Sequence, residues 1–277
     1  MSRYYSDNMC GRFSQGEPSH QISDYFGAYP DEDLPAGLYN VPPTETIRLV
    51  VQREDQRRLI AARWGFRPFW ADDERKRSAQ TWINARSETA WDSPVFGRSL
   101  RSRRCIVPAD AFYEWDRTAT PRQPYAIGAA EEGEMLALAG IWSPIHGEAP
   151  TAAIMTTSPN DLLASVHNRM PVILDRDALE VWLDPEADLG HVQSLLRPAP
   201  AAALRMWPVG TAVNKVAADG PELLRPIELA PPPSAPAGRV GGLARAPGAR
   251  IDDVGRRTAQ NVRPLHPIVG TAPPRRS

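Results

Sequence analysis

The feature that most constrains the fold of this chain is a series of short strand-like segments separated by turns. Residues 47–51 are mostly apolar, residues 53–58 are mostly charged, and residues 59–64 are again mostly apolar. This order predicts two strands joined by a hairpin turn. Comparable short segments recur at residues 103–115, 124–127, 136–142, 152–157, 169–174 and 206–209.

Helical patterns are few and short. We expect helices at residues 20–26, 160–166, 177–183 and 191–196, and a strand that runs into a helix at residues 83–89. Strands do not alternate with long helices, which argues against a parallel sheet made of βαβ units. The sequence therefore predicts an α+β fold, with a curved, mostly antiparallel, barrel-like β-sheet core and short peripheral helices.

The two ends of the chain differ from this central part in composition. Residues 1–8 are polar and lack the apolar run of a signal peptide. Residues 229–277 are dominated by Pro, Ala, Gly and Arg and contain no aromatic residue. Such a tail buries too little apolar surface to offset its ordering entropy, so we expect disorder. The tail either attracts phosphate weakly or is a solvated segment without a partner. A single folded domain is expected at residues 9–228.

Composition excludes several classes of protein. No run of about 18 apolar residues is present, so no membrane span and no membrane partner are expected. The two cysteines, Cys10 and Cys105, form neither a disulfide framework nor a metal-ligand spacing, which fits a cytoplasmic protein without a bound metal. The net charge of -1 means that any contact with nucleic acid must come from local arginines.

A cysteine directly follows a methionine near the start of the chain, in Met9-Cys10. If Cys10 were the first residue, it would carry a free α-amine beside its thiol. An amine attacks an aldehyde to give a Schiff base, and the adjacent thiol can close a five-membered ring on the imine carbon. Three alternatives stay open: translation from Met9, removal of the leader, and an ordinary internal cysteine whose nitrogen is an amide.

Six stretches, together with the segment around Val213-Asn214, resemble the SRAP family (SOS-response-associated peptidase). The resemblance covers roughly residues 9–228 in the family's order. The stretches are Met9-Cys10-Gly11-Arg12-Phe13, Tyr39-Asn40-Val41-Pro42-Pro43-Thr44, Trp64-Gly65-Phe66, Asn84-Ala85-Arg86-Ser87-Glu88-Thr89, the segment from Arg104 to Trp115, and the segment from Val166 to Leu174.

The resemblance implies an activity. Members of the family sense abasic sites in single-stranded DNA and form a covalent thiazolidine crosslink through an N-terminal cysteine. The expected partner is therefore single-stranded DNA with abasic sites, bound by a monomer without a cofactor. If the leader persisted, the α-amine of Cys10 would be blocked and this chemistry would fail.

Four residues are candidates for the chemistry. Cys10 is the expected nucleophile. Glu114 lies among aromatic residues, and burial raises the pKa of a carboxyl group, which suits proton transfer; the alternative is a structural ion pair. His167 could protonate the sugar ring oxygen during opening and assist reversal of the crosslink. Asn84 could orient the aldehyde or the amine, or could cap a turn.

Three arginines, Arg12, Arg86 and Arg169, each follow a candidate catalytic residue by two positions. In a strand, residues two apart lie on the same face, so each guanidinium could hold a phosphate beside the chemistry. Independent surface ion pairs are the alternative.

Four residues with rings are expected to stack on bases next to the lesion: Trp115, Pro43, Trp64 and Phe66. Packing in the core is the alternative, especially for Trp64 and Phe66. Cys105 and Trp182 are predicted to lie in the core.

Two rival functions stay open. The first is an N-terminal-nucleophile peptidase or amidohydrolase that uses the thiol for acyl transfer. This reading leaves the three arginines without a role. The second is a module that binds single-stranded DNA without chemistry. Schiff-base formation at an abasic site could also lead to elimination of the 3′ phosphate, so weak lyase activity is compatible with covalent capture of abasic sites.

Overall fold

The structure is a computed structural model that describes residues 11–72 and 80–229. Cys10, the leader at residues 1–8 and residues 230–277 of the predicted disordered tail lie outside the described residues. The strands are β1 (Phe13–Gln15), β2 (Tyr29–Pro30), β3 (Leu38–Val41), β4 (Thr46–Arg53), β5 (Gln56–Trp64), β6 (Asn84–Arg86), β7 (Arg104–Ala109), β8 (Ala111–Asp116), β9 (Gln123–Ala129), β10 (Leu136–Ile145), β11 (Glu148–Thr157), β12 (Met170–Pro171), β13 (Ile173–Leu174) and β14 (Leu204–Pro208).

The helices are short. They are α1 (Ser19–Phe26), α2 (Ser87–Ala90), α3 (Gly97–Ser102), α4 (Arg176–Leu183) and α5 (Leu189–Ser194). At the predicted helix 160–166, only Leu163–Ser165 form a 3-10 turn, which begins with the Leu163 N–H donating to Asn160 Oδ1 at 3.0 Å. Within the part of the chain that the structure describes, no helix is long and apolar enough to cross a membrane.

Five strands close into a barrel. The order β11-β10-β7-β4-β5 is a path of antiparallel pairs, and β5 returns to pair with β11 in parallel, through Thr151 opposite Arg63 and Ala152 opposite Trp64. The predicted hairpin is β4–β5, which pairs from Thr46–Arg63 to Arg53–Gln56. The short strands β2, β6, β12 and β13 add to this barrel. The predicted α+β fold, with a barrel-like, mostly antiparallel sheet and short peripheral helices, is confirmed.

A second sheet of five strands, in the order β14-β9-β8-β1-β3, carries the N-terminal residues. Residues 39–41 belong to β3, in which Val41 pairs with Phe13. The chain passes from the barrel to this sheet at Asp110, between β7 and β8. The Asp110 carboxylate accepts hydrogen bonds from the Ser14 hydroxyl at 2.5 Å and the Gly16 N–H at 2.6 Å, which fixes β1 at the corner.

Both faces of the barrel strands are buried. Along β4, Leu49 and Val51 pack in one apolar cluster and Val50 packs in another, where α4 also contributes. Cys105 and Trp182 are fully buried, as predicted. Because the barrel strands are buried along most of their length, polar side chains that carry chemistry are expected where the strands end, and the candidate site lies at such a place.

Candidate active site

A cleft of about 540 Å³ begins at the first described residue, Gly11. We call it the N-terminal cleft. Its walls come from the start of β1, the loop after β3, the strand β8 with its hairpin turn, and one residue near the C-terminal end of the described domain. The lining residues are Gly11, Arg12, Pro42, Pro43, Thr44, Glu45, Ile83, Glu114, Trp115, Arg117, Arg122 and Val216.

Pairing between β1 and β8 sets the centre of this cleft. Phe13 lies opposite Phe112, and the Tyr113 N–H donates to the Arg12 carbonyl at 3.0 Å. This register brings residues 11 and 12 beside residues 113 and 114, because neighbouring strands lie less than 5 Å apart. Four predicted site residues therefore line one space: Arg12, Pro43, Glu114 and Trp115.

The loop after β3 forms the opposite wall in a constrained backbone conformation. Thr44 has a φ of 77°, which a β-branched residue adopts rarely. Its N–H donates to the Trp64 carbonyl at 2.8 Å, so the barrel holds the loop in place. Pro42 and Pro43 further restrict the backbone. A strained position that surrounding structure maintains is common at functional sites.

Glu114 is 4% exposed and lies on β8, opposite Tyr125 of β9. It lines the N-terminal cleft although most of its surface is covered. The next residue, Trp115, is half-buried, and its indole Nε1–H donates to Asn214 Oδ1 at 2.7 Å. Trp115 therefore keeps a fixed orientation at the rim of the cleft.

His167 is 5% exposed and follows the 3-10 turn Leu163–Ser165. The backbone N–H of Arg169 points to its Nδ1, with 3.1 Å between the nitrogens, and the Arg117 guanidinium lies 2.6 Å from its Nε2. Arg117 also lines the N-terminal cleft, so it connects His167 to that space. Sequence reasoning missed Arg117. The available signal was its position three residues after Glu114 in a charged turn.

The Arg12 guanidinium is held by the protein itself. Its Nη1 donates to Asn40 Oδ1 at 2.8 Å and to the Val213 carbonyl at 3.1 Å. Burial lowers the pKa of Arg12, and the nearby Tyr113 acts in the opposite direction. Asn40 also donates to the carbonyls of Lys215 and Ala218, at 3.0 and 2.9 Å. This network attaches the C-terminal segment of the domain to β3, where Val216 completes the cleft.

Asn84 and Arg86 lie on β6, and the buried Ala85 lies between them. The strand pairs in parallel with β11, with Arg86 opposite Thr156. Arg86 is exposed, and Asn84 is half-buried. Asn84 and Arg86 therefore lie two positions apart in one strand, as the prediction that they share a face requires.

The same geometry is absent for the other two arginines. Arg12 precedes β1, and residues 167–169 form a loop, so neither is placed by a strand. Arg169 is turned onto Glu88 in a bidentate ion pair, with Nη2 2.8 Å from Glu88 Oε2 and 2.7 Å from the Thr156 carbonyl. The pair lowers the pKa of Glu88. Arg169 therefore forms the surface ion pair that was named as the alternative, and binding of phosphate by Arg169 stays a prediction.

The stacking prediction is wrong for Trp64 and Phe66. Both rings are 0% exposed. Trp64 packs edge-on against Phe13 at 5.0 Å between ring centroids, and its Nε1–H donates to the Ile83 carbonyl at 2.9 Å. Phe66 packs against Phe96 at 5.6 Å. Neither presents a face to a base, whereas Trp115 and Pro43 remain at the N-terminal cleft.

Cys105 differs sharply from what a nucleophile requires. Its thiol is fully buried in the barrel, and burial raises its pKa far above the ordinary value.

Among residues 11–72 and 80–229, no group of three or more His, Cys, Asp or Glu side chains is placed to hold a metal ion.

The fold is an α+β fold made of a closed barrel and an attached sheet. The N-terminal cleft is lined by a carboxylate, an indole and arginines. The chain belongs to the SOS response associated peptidase (SRAP) family, whose profile matches residues 9–216.

Similar proteins include the abasic site processing protein YoqW of Bacillus subtilis, which is 36% identical over 225 residues, 78% of this chain and 99% of the relative. The abasic site processing protein YedK of Escherichia coli is 30% identical over 79% of this chain and 100% of the relative. A crystal structure of a protein from Bacteroides thetaiotaomicron is similar in fold, with a TM-score of 0.69 and 23% identity over 79% of this chain and 100% of that one.

Proposed function

We propose that this protein processes abasic sites in single-stranded DNA by covalent capture through Cys10. The observation that carries the proposal is that Gly11, the neighbour of Cys10, lines a cleft that also contains the buried Glu114. Cys10 is joined to Gly11 by a peptide bond, so the proposal puts the reactive amine within one residue of a side of this cleft. The names of the relatives YoqW and YedK support abasic DNA as the substrate.

The proposed capture reaction needs no cofactor, because the amine, the thiol and the aldehyde supply every atom of the products. The α-amine of Cys10 adds to the aldehyde carbon of the ring-opened sugar, and loss of water leaves an imine. The Cys10 sulfur then adds to the imine carbon while the thiol proton goes to the nitrogen, which closes a thiazolidine. Water is the only molecule released. Elimination of the 3′ phosphate from the imine gives weak lyase activity.

Glu114 and His167 are the proton carriers of this proposal, and Asn84 orients the reacting groups. Glu114 removes a proton from the amine and returns one to the departing water. His167 delivers a proton to the sugar ring oxygen during opening and acts in reversal. Arg86 and Arg12 attract phosphate, and Trp115 and Pro43 contact bases. The proposed unit is a monomer that spans residues 9–228.

The decisive experiment is a denaturing gel of an abasic single-stranded oligonucleotide incubated with protein that begins at Cys10. We expect a heat-stable adduct that falls at least about 100-fold in Cys10→Ala, because the alanine keeps the amine but cannot close the ring. The matched control is Cys105→Ala, which removes the other thiol and should leave the adduct yield unchanged. An equal adduct yield in Cys10→Ala would refute the proposal. Hydrolysis of amide substrates without any adduct would favour a peptidase instead.

The two arginines near Thr156 are expected to respond differently to substitution. Arg86→Gln should reduce the slope of log K against log salt for single-stranded DNA by about 0.7, because one exposed phosphate contact is lost. Arg169→Gln should change the slope much less, because Glu88 already neutralises that guanidinium. Fluorescence anisotropy at several salt concentrations measures both. Equal slopes for the two variants would show that DNA displaces Glu88.

A further inference from the structure

The imidazole of His167 faces two hydrogen-bond donors. The backbone N–H of Arg169 points to Nδ1 at 3.1 Å, and an Nη of Arg117 lies 2.6 Å from Nε2. An arginine side chain has donors only, and a backbone N–H cannot accept. Both contacts therefore require a lone pair on the histidine nitrogen that they face.

A neutral imidazole has only one such lone pair, because its other nitrogen carries the proton. With the proton on Nδ1, Nε2 accepts from Arg117 and the Arg169 contact is not a hydrogen bond. With the proton on Nε2, Nδ1 accepts from Arg169 and Arg117 must withdraw. An imidazolium can accept neither. The position of the Arg117 side chain and the position of the histidine proton are therefore linked.

Arg117 is also available to a ligand. It is exposed, lies in the turn between β8 and β9, and lines the N-terminal cleft together with Arg122. A DNA phosphate in this cleft offers two charged oxygens in the geometry that a guanidinium binds best. A neutral imidazole is the weaker acceptor, so a phosphate is expected to draw Arg117 away from Nε2.

We propose that Arg117 is a positioning residue that links the protonated nitrogen of His167 to the presence of DNA phosphate in the cleft. In the free protein Arg117 holds the Nδ1–H tautomer. When a phosphate binds Arg117, one proton leaves Nδ1 through solvent and one enters at Nε2, so the ring stays neutral and no reactant is consumed. The Nε2–H tautomer can donate a hydrogen bond to the ring oxygen of the sugar. The part of this inference that concerns DNA rests on the proposed function.

The tautomer can be read from ¹⁵N shifts of the imidazole in protein with labelled histidines. The chain has five histidines, and His167→Gln identifies the signal of interest. At one fixed pH, we expect the free parent to be mainly Nδ1–H and Arg117→Gln to be mainly Nε2–H. The tautomer ratio should change by about tenfold or more, as loss of a charge-assisted hydrogen bond allows. Arg117→Lys, which restores a donor, should return part of the parent ratio.

Arg122→Gln is the matched control. It removes the same charge from the same turn but retains the Arg117 guanidinium that faces Nε2, so its tautomer ratio should equal that of the parent. Addition of an oligonucleotide with a tetrahydrofuran residue, which has no aldehyde to capture, should shift the parent toward Nε2–H. An unchanged ratio in Arg117→Gln, or an equal change in Arg122→Gln, would overturn the inference.

The two proposals fail separately. If the parent captures no abasic DNA but Arg117→Gln still changes the tautomer, the proposed function is wrong and the contact between Arg117 and His167 has the stated effect. If the parent captures DNA normally but the tautomer responds neither to Arg117→Gln nor to the oligonucleotide, only the inference about Arg117 is wrong.

Discussion

Protein that begins at Cys10 is expected to capture an abasic oligonucleotide, and the same chain with residues 1–9 in front is expected not to. The thiol is identical in the two proteins. They differ in the nitrogen of Cys10, which is a primary amine in the first and an amide in the second. An amide nitrogen forms no Schiff base, so the heat-stable adduct should fall by at least about 100-fold.

Both proteins can be prepared with defined ends. A chain released by a protease that leaves Cys10 first gives the short form. The long form carries Met9→Leu, which prevents translation from that position, and its intact mass must account for every residue from Met1. Cys10→Ser at the first position is a further control, because it retains the amine. That variant should give a DNA adduct mainly after borohydride reduction of the imine.

The opposite outcome would remove the basis of the proposed chemistry. Should the long form, with its mass verified, capture DNA as fast as the short form, the α-amine is not the nucleophile. A thiol-only adduct or an internal lysine would then have to explain the crosslink. Reactivity of the long form that disappears in its Cys10→Ala variant would indicate the thiol, and reactivity that persists there would indicate neither group of Cys10.

Local pattern was sufficient to predict the five strands of the barrel and insufficient to predict how the barrel closes. The charged turn between two apolar segments predicts the hairpin β4–β5 well, because the two strands are adjacent in sequence. The parallel pairing of Ala152 with Trp64 joins residues that are far apart in the chain. Nothing in either segment specifies that partner, since register depends on how the whole barrel packs.

Long-range partners also explain why the ion pair of Arg169 could not be predicted from the sequence. The residue was assigned to phosphate because it follows His167 by two positions. In the structure its partner is Glu88, which is 81 residues away in sequence. A guanidinium binds a carboxylate and a phosphate in the same bidentate way, so the residue type alone cannot distinguish the two. Arg86 follows Asn84 by the same offset and is exposed, because those two residues do lie in a strand.

Two tryptophans that the sequence could not separate are expected to differ most in their response to substitution. Trp64→Ala should lower the free energy of unfolding by about 3–5 kcal/mol, because it leaves a large cavity and an unpaired Ile83 carbonyl. Typical domains have only about 5–15 kcal/mol in total, so the substitution removes a large share of the stability. Urea denaturation monitored by circular dichroism measures this loss.

Trp115→Ala should act on DNA instead. Its indole is half-buried at the cleft, so its removal should cost little stability, while loss of one stacked base weakens binding of single-stranded DNA by about 1–3 kcal/mol. That range corresponds to roughly 5- to 150-fold in Kd. Trp115→Phe retains a ring face and should recover most of the affinity, although it loses the hydrogen bond to Asn214. Fluorescence anisotropy with an intact oligonucleotide gives the Kd.

The contrast between the two positions tests how DNA meets this surface. Trp64→Ala, measured at a temperature where it is folded, should bind DNA as the parent does, because the Trp64 ring never reaches solvent. If Trp64→Ala lost affinity while fully folded, the barrel would have to open to admit a base. If Trp115→Ala kept parental affinity, bases would not stack at the rim, and binding would depend on phosphate contacts alone. The two substitutions therefore distinguish a ring that stabilises the barrel from a ring that the second sheet presents to DNA.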